Sequence, residues 1–357
     1  MGLVISFRFL TRFLSCAILI AWFSQVVASQ NAEQLQTYFE DAVGLSAEQI
    51  AAIRNGKAVA KVLKSRTADE IFVFGAVYVK GSPESYVRLA TDFARLRKLP
   101  EFLALGTFSN PPKAADLEGF EFDSEDVKSL KECRPGRCEV HMPAEAIEDF
   151  RNSMDWNAPD PETRLNLLLH RGALSGLEAY KSKGNAALGV YSDKQNSVDV
   201  GKQFEYMLSY VQILPRYVPK FHRYLLDYPN GKTPELDDRF YWAKVKFGLK
   251  PTLRVIQVVT FQGKSESEPV YAIAEKQLYS SHYFETALDL TFCIRDPEHP
   301  KKPGFYLVKT MGSEQAGLTG IKGGVVRKVA VGRTASSLEK SLDAIKGLLE
   351  QQPQPDS

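Results

Sequence analysis

The last fifty residues constrain the fold more than any other part of the chain. Residues 305–311 (Phe-Tyr-Leu-Val-Lys-Thr-Met) have the composition of a strand. The residues that follow carry an apolar side chain at alternating steps of four and three. This stripe consists of Val331, Ala335, Leu338, Leu342, Ile345 and Leu349. The spacing predicts a long amphipathic helix, which must lay its apolar side on a surface such as the preceding strands.

The segment between this strand and this helix is rich in glycine. Residues 317–324 read Gly-Leu-Thr-Gly-Ile-Lys-Gly-Gly, which lacks the Gly-x4-Gly-Lys-Ser/Thr spacing of a phosphate-binding loop. We therefore predict a turn that serves as a flexible hinge or lid, rather than a nucleotide site.

The first 28 residues have the organisation of an export signal. Arg8 and Arg12 precede an apolar run at 13–27, and small residues ending at Ala28 offer a cleavage site for a signal peptidase. We predict that residues 1–28 are a signal peptide and that the protein is periplasmic or secreted. Loss of the two arginines lowers the net charge from +2 to 0, and a balanced charge argues against nucleic acid as a partner.

Two of the remaining cysteines are placed to form a disulfide. Cys133 and Cys138 flank Arg134-Pro-Gly-Arg137, and a Pro-Gly pair favours a type II turn that brings the two thiols opposite each other. In an exported protein this pattern predicts a disulfide. The alternative is a zinc site that recruits His141 and Cys293, but no second Cys-x-x-Cys pair is present. We predict no metal and no cofactor.

Composition and spacing divide the rest of the chain into segments. Residues 29–70 are predicted as an N-terminal helical segment, in which Ser46 and Gln49 form a capping box. After a strand at 71–79, Ser82 and Pro83 suit the N-cap and first position of a helix. Further helices are predicted at 124–131, 144–154, 161–183, 200–214 and 219–228. Further strands are predicted at 103–108, 253–261, 270–283, 287–294 and 305–311, followed by a disordered tail at 351–357.

The strand predicted at 287–294 has a simple alternating pattern. Apolar residues occupy the even positions from Leu288 to Ile294, while Asp289 and Thr291 lie between them. The alternation predicts a sheet with one covered face and one face in solvent.

Two stretches resemble the START-related helix-grip superfamily, which includes lipid-transfer domains and polyketide-cyclase-like proteins. They are residues 77–84 (Val-Tyr-Val-Lys-Gly-Ser-Pro-Glu) with the helix that follows, and residues 304–350. The chain as a whole also resembles secreted bacterial proteins. The superfamily resemblance implies an α+β fold, in which an antiparallel sheet wraps around the long C-terminal helix and leaves an apolar tunnel for a lipid, sterol or aromatic compound. Residues 71–122 and 237–350 would form this domain, and residues 123–236 would be a large helical insertion.

The strand predicted at 270–283 carries the candidate ligand-binding residues. Strict alternation places Glu275, Gln277 and Tyr279 on one face, and Lys276 and His282 on the other. Either face could point inward. If the second one lines a cavity, His282 and Lys276 could act as an acid–base pair. The alternative is that these residues face solvent, or that the histidine is held by hydrogen bonds.

Three functions are compatible with these features. The first is an exported carrier that binds a hydrophobic small molecule or lipid in an internal cavity, with transient membrane contact. The second is a cyclase- or hydrolase-like enzyme that acts through His282 or Glu275. The third is a non-catalytic envelope protein that contacts other proteins through its helical insertion. The sequence has no His-Glu-x-x-His or Gly-x-Ser-x-Gly motif, so we favour a non-enzymatic role.

Overall fold

The computed structural model describes residues 35–351, apart from residue 195 and the segments 248–249, 264–269, 296–303, 316–317 and 319. The predicted signal peptide and all but the first residue of the predicted tail lie outside the described residues. Among the helices so described, none combines the length and the apolar composition needed to cross a bilayer.

Along the described chain, a first group of helices and strands is followed by a block made mainly of helices, and then by five strands and one long helix. The labelled helices are α1 (Ala47–Arg54), α2 (Pro83–Ala90), α3 (Phe93–Leu96), α4 (Ser124–Leu130), α5 (Ala144–Ser153), α6 (Pro161–Lys183), α7 (Val200–Tyr210), α8 (Ile213–Tyr217), α9 (Pro219–Asp227) and α10 (Gly320–Glu350). The strands are β1 (Val59–Leu63), β2 (Glu70–Val79), β3 (Phe102–Thr107), β4 (Val190–Tyr191), β5 (Val198–Asp199), β6 (Leu236–Phe247), β7 (Lys250–Gln262), β8 (Val270–Ser280), β9 (Phe284–Arg295) and β10 (Phe305–Gln315). Short helical segments lie at Tyr38–Ala42, Ala114–Leu117 and Gly184–Ala187.

Eight strands form one antiparallel sheet in the order β1-β2-β10-β9-β8-β7-β6-β3. From β6 to β10 each strand pairs with the next one along the chain, as in a meander. β2 precedes the helical block, yet it pairs with the last strand, β10, from Glu70 opposite Glu314 to Val79 opposite Phe305. The fold is therefore α+β, with the helices α4–α9 inserted between strands of one sheet.

Helices cover both faces of this sheet. One face, which we call the α10 face, packs against α2, α3 and α10. The other, which we call the block face, packs against α1 and the helices α4–α9. The prediction of a solvent-facing side for the strand at 287–294 is therefore wrong. Its odd positions Thr291 and Cys293 are 4% and 1% exposed on the α10 face.

The predicted apolar stripe of α10 packs on β1 and β2. Leu338, Leu342 and Leu349 are buried in the core of the α10 face. Gly75 of β2 allows the close approach, because a Cβ added there would lie 2.8 Å from carbon atoms of both Leu338 and Leu342. Polar contacts also hold the helix in place, since Arg327 Nε donates to the carbonyl oxygen of Ala68 at 2.8 Å.

The glycine-rich turn predicted at 317–324 is partly helix. α10 begins at Gly320 and includes Gly323 and Gly324, while Gly317 lies outside the described residues. A glycine costs a helix only about 1 kcal/mol relative to alanine, and the remainder of this long helix stabilises its first turn through the apolar stripe. The hinge prediction is therefore wrong for 320–324.

Two strands of the eight-stranded sheet were not predicted from the sequence, nor was the short pair β4 and β5. β1 lies inside the segment predicted as helical at 29–70, where α1 has the expected capping box of Ser46 and Gln49 and ends before Gly56, which has a φ of +77°. β6 was also missed, although it is twelve residues long. In β6, Trp242 packs on the block face and Tyr241 on the α10 face. A strand covered on both sides lacks the alternation that identifies a half-buried strand.

The helices predicted between 124 and 228 all form, with one division. The helix predicted at 200–214 is split into α7, which ends at Tyr210, and α8, which begins at Ile213. Pro215 explains the break, because it has no N–H to donate to the carbonyl of Val211 and its ring clashes with that carbonyl in a continuous helix.

The predicted cysteine pair lies at disulfide bonding distance. The Cα atoms of Cys133 and Cys138 are 4.6 Å apart, and Gly136 between them has a φ of +79°. Gly136 N also donates to the carbonyl oxygen of Ser192 at 2.6 Å, which joins this loop to the segment after β4.

Substitution of Gly75 by alanine should destabilise the protein. We expect Gly75→Ala to lower the free energy of unfolding by about 1–3 kcal/mol, because its Cβ overpacks the contact between β2 and α10. Gly332→Ala is the control, since a Cβ on that α10 residue meets no atom within 4 Å, and it should raise stability by up to about 1 kcal/mol. Urea unfolding measures both variants. A Gly75→Ala protein as stable as the wild type would contradict the close packing of α10 against Gly75.

Candidate functional site

A cavity of about 670 Å³ lies between α5, α6 and the block face of the sheet. Its walls are mainly apolar side chains: Phe120, Met142, Phe150, Leu168, Leu169, Leu177, Leu188, Val255 and Leu278. Tyr180, Tyr191 and Tyr279 contribute its aromatic and hydroxyl-bearing surface, while Asp149 and Arg171 are exposed residues at its margin. The chain therefore contains an apolar hollow on the face of the sheet opposite α10.

Small residues on α5 and α6 leave this space open. Ala146 of α5 and Gly172, Ala173 and Gly176 of α6 all line the cavity. A Cβ added at Gly172 or Gly176 would meet no atom within 4 Å. Because Gly172 and Gly176 are themselves exposed, larger side chains there would narrow the part of the cavity that opens to solvent.

A bulge in β8 forms the floor of the cavity. Val255 of β7 pairs with Tyr279 and Ile256 with Gln277, so Leu278 has no partner in the register. The extra residue interrupts the alternation of side chains, and both Leu278 and Tyr279 line the cavity.

This bulge corrects the predicted arrangement of the candidate residues. Lys276 and Tyr279 lie on the block face, in contact with its core and its cavity. Glu275 and Gln277 lie on the α10 face, where the Tyr241 hydroxyl donates to Glu275 Oε2 at 3.4 Å and Arg254 Nε donates to Gln277 Oε1 at 2.9 Å. Placing Tyr279 with Glu275 and Gln277 was wrong, because alternation was extended through an irregular strand.

Lys276 is a buried cation in aromatic surroundings. It is 1% exposed, and its Nζ donates to the Tyr180 hydroxyl at 3.1 Å and to Asn185 Oδ1. Nζ also lies 5.1 Å and 4.6 Å from the ring centroids of Tyr180 and Phe204. Burial lowers its pKa to about 7, although the charge of Glu205 on α7 acts in the opposite direction. Within the described part of the chain, no carboxylate forms an ion pair with it.

Tyr180 separates Lys276 from the cavity. Its ring lines the hollow and stacks on Tyr228 with centroids 4.8 Å apart. Its hydroxyl donates to Gln257 Oε1 at 2.6 Å while accepting from Lys276. Lys276, Gln257, Tyr180 and Asn185 thus form one buried polar cluster behind an apolar cavity.

The segment after α6 positions Asn185. At the end of α6, Gly184 has a φ of +63°, and a Cβ there would lie 1.7 Å from the carbonyl oxygen of Tyr228. Only glycine fits this close approach. Asn185 Nδ2 then donates to the carbonyl oxygen of Leu226 at 3.1 Å, which turns its Oδ1 towards Lys276.

His282 connects the sheet to α4. Its Nε2 lies 2.9 Å from Asp126 Oδ1 and its Nδ1 lies 3.1 Å from the carbonyl oxygen of Glu139. Both side chains of the His282–Asp126 pair are buried. Lys276 and His282, which the sequence suggested as an acid–base pair, have separate partners, and no hydrogen bond joins them among the described residues.

A second polar cluster lies on the α10 face. Glu275 of β8 is directly opposite Asp289 of β9, and such pairs have Cβ atoms about 4.5–5.5 Å apart. Burial raises the pKa of Asp289 to about 6, opposed by Lys309 and helped by the negative charge of Glu275. The pKa of Lys309 is raised above its ordinary value. Burial by itself would lower this pKa, but the nearby Tyr86, Asp289 and Glu275 together have the larger effect.

Asp289 and Lys309 were not identified from the sequence. Asp289 stands between Leu288 and Leu290, and Lys309 between Val308 and Thr310, a pattern that also describes an ordinary strand residue facing solvent. Packing of α2 over this face leaves both side chains only partly exposed. Among the described residues, no group of three or more His, Cys, Asp or Glu side chains is placed to hold a metal ion.

Comparison with known proteins leaves the function to be inferred from this geometry. No protein-family model matches the sequence, and no curated protein matches it.

The raised pKa of Asp289 predicts a pH-dependent stability. Because its folded-state pKa is about 6 and its ordinary value is 3.8, the folded protein binds this proton more tightly than the unfolded chain. Its contribution to stability is complete below pH 3.8 and is lost as the pH rises through 6. The side chain of Asp289→Asn does not titrate, so this variant keeps its stability as the pH rises. Its free energy of unfolding relative to the wild type should therefore increase by on the order of 2–3 kcal/mol between about pH 3.5 and pH 8. Urea unfolding across this range measures the gain. A difference in free energy of unfolding that stays the same at every pH would contradict the raised pKa of Asp289.

Proposed function

We propose that this protein binds a hydrophobic small molecule or lipid in the cavity between α5, α6 and the block face. The observation that carries this proposal is the size and lining of the hollow. Its volume of about 670 Å³ falls in the range of roughly 300–1,000 Å³ typical of ligand sites. Its walls are apolar, so water gains few hydrogen bonds inside, and an apolar ligand would replace it favourably.

The construction of the cavity supports a binding role over imperfect packing. Protein interiors are close-packed, with few voids larger than a water molecule. Here the small residues Ala146, Gly172 and Gly176 all face one space, next to a sheet with a bulge at Leu278. The exposed residues Asp149 and Arg171 at the margin mark an entry from solvent.

We also infer that the domain belongs to the helix-grip class. Three features support this inference: β2 beside the final strand β10, a meander from β6 to β10, and a long C-terminal helix packed on the sheet. In that class the ligand tunnel is expected beside the C-terminal helix. The cavity described here uses the opposite face, and the helical insertion at 123–236 supplies much of its wall.

An exported location fits the same proposal. The Cys133–Cys138 pair is compatible with an oxidising compartment, and the sequence of residues 1–28 predicts secretion. A carrier outside the cytoplasm would take up a lipid or other apolar compound from its surroundings or from a membrane that it contacts transiently.

A cavity-filling substitution tests the binding role. Ala146→Phe should place a ring in the hollow and lower the affinity for Nile red, a neutral apolar dye, by roughly tenfold or more, because the lost apolar contact is worth about 1.5–3 kcal/mol. Ala144→Phe is the matched control, since Ala144 lies on the same helix outside the cavity lining. Fluorescence titration measures both affinities.

The outcome distinguishes the cavity from other apolar surfaces. Equal dye binding by wild type, Ala146→Phe and Ala144→Phe would contradict the proposal. Mass spectrometry of organic extracts of the purified protein provides a second measurement, because molecules retained by wild type should be absent from Ala146→Phe.

A further inference from the structure

Tyrosine hydroxyls are the polar side-chain atoms of the buried cavity wall, and two of them are already hydrogen-bonded within the protein. The Tyr180 hydroxyl donates to Gln257 Oε1 and accepts from Lys276 Nζ. The Tyr191 hydroxyl hydrogen-bonds to the backbone of Ser280. These two residues therefore present their rings to the hollow, and their hydroxyls have protein partners behind it.

The third hydroxyl, that of Tyr279, is shielded from the hollow. The ring of Tyr279 lines the cavity floor, but its oxygen atom is buried. The charges that act on this hydroxyl belong to Asp126 and Asp193, and neither residue lines the cavity. A ligand at the floor thus meets apolar side chains and aromatic rings. A polar group placed there would lose its hydrogen bonds to water without replacement.

The charged and hydroxyl-bearing residues that do open on the cavity lie at its outer rim. They are Asp149 and Ser153 of α5 and Arg171 and Ser175 of α6. All four are exposed to solvent. The cavity therefore changes from an apolar floor against the sheet to a polar, hydrated rim between the two helices.

We infer that the ligand of this cavity is an amphiphile with its polar groups at one end only, bound with its apolar end at the floor and its polar end in water at the rim between α5 and α6. This inference rests on the binding role proposed above, and it adds the class of ligand and its orientation. Such a molecule removes apolar surface from water while its polar end keeps its hydration. A molecule with polar groups at both ends would have to bury one of them without a partner.

The rim sets little preference for the charge of the polar end. Asp149 and Arg171 contribute one charge of each sign, and both are exposed. Interactions between exposed charges are weak and are screened by salt. Selectivity therefore comes from the apolar end of the ligand and from the position of its polar groups.

Two isomers of one diol test the orientation. 1,2-Dodecanediol has both hydroxyls at one end, whereas 1,12-dodecanediol has one at each end. Both are titrated by displacement of Nile red from the purified protein after lipid extraction. We expect the wild type to bind the 1,2-isomer roughly 5- to 100-fold more tightly, because the 1,12-isomer must bury a hydroxyl without a partner. Ala146→Phe should weaken the binding of both isomers, since its ring occupies the same space.

A charge reversal tests the position of the polar end. Dodecanoate and dodecyltrimethylammonium share one alkyl chain and carry opposite charges. Arg171→Glu should weaken dodecanoate and strengthen dodecyltrimethylammonium, each by roughly two- to fivefold at low salt and by less at high salt. Arg164→Glu is the matched control and should leave both affinities close to those of the wild type, because Arg164 is exposed on α6 but does not line the cavity.

The results separate this inference from the binding role itself. Equal affinity for the two diols, or tighter binding of the 1,12-isomer, overturns the orientation and leaves the apolar cavity intact. Wild-type affinities of Arg171→Glu for both charged ligands also overturn it, since the polar end would then lie elsewhere.

Nile red itself reports on the proposed function. Failure of the wild type to bind this dye overturns the binding role, whereas dye binding that no dodecyl compound displaces overturns the ligand class alone. The comparison of the two diols requires no substitution, so it remains decisive if a variant fails to fold.

Discussion

The pairing of β2 with β10 holds this structure together. It joins a strand near the beginning of the described chain to the last strand over ten residue pairs, across the whole helical block. The same pairing places Gly75 under Leu338 and Leu342, so that α10 lies closely on the sheet. Without it, β1 and β2 would be separated from the meander β6–β10, and the long helix would lose its packing surface.

The complete sheet separates two buried regions of different composition, one on each face. The α10 face contains the carboxylates of Glu275 and Asp289 opposite each other and near Lys309, while the block face contains an apolar hollow and, behind Tyr180, the buried amine of Lys276. Adjacent residues of β8 serve different interiors, because consecutive side chains in a strand point to opposite faces. Burial then shifts the pKa of the ionisable groups on each side, upward for Asp289 and downward for Lys276.

The helical block supplies what the sheet lacks. A flat sheet face alone cannot enclose a ligand. The helices α5 and α6 form the other walls, and their small residues leave the space between them unfilled. The block is attached to the sheet by specific contacts, such as the His282–Asp126 pair and the hydrogen bond from the Tyr180 hydroxyl to Gln257 Oε1. These contacts also explain why His282 is better understood as a connection between elements than as a free acid or base.

Local sequence patterns determined much of the framework. The apolar stripe of α10, the capping box before α1, the proline-initiated helices α2 and α6, and the cysteine pair at 133 and 138 each depend on neighbouring residues, so a pattern of a few residues predicts them. Of the candidate site residues, Lys276 and Tyr279 lie on the same face of the sheet, Tyr279 at the cavity floor and Lys276 behind Tyr180, yet alternation had assigned them to opposite faces.

Tertiary structure decided the rest. The strands β1 and β6, the bulge at Leu278, and the partial burial of Asp289 and Lys309 depend on what packs across both faces of the sheet, which no short stretch of sequence reveals. The location of the cavity is the clearest case. It lies between α6 and strands far along the chain, where the small side chains of α5 and α6 share one cavity with the bulged part of β8.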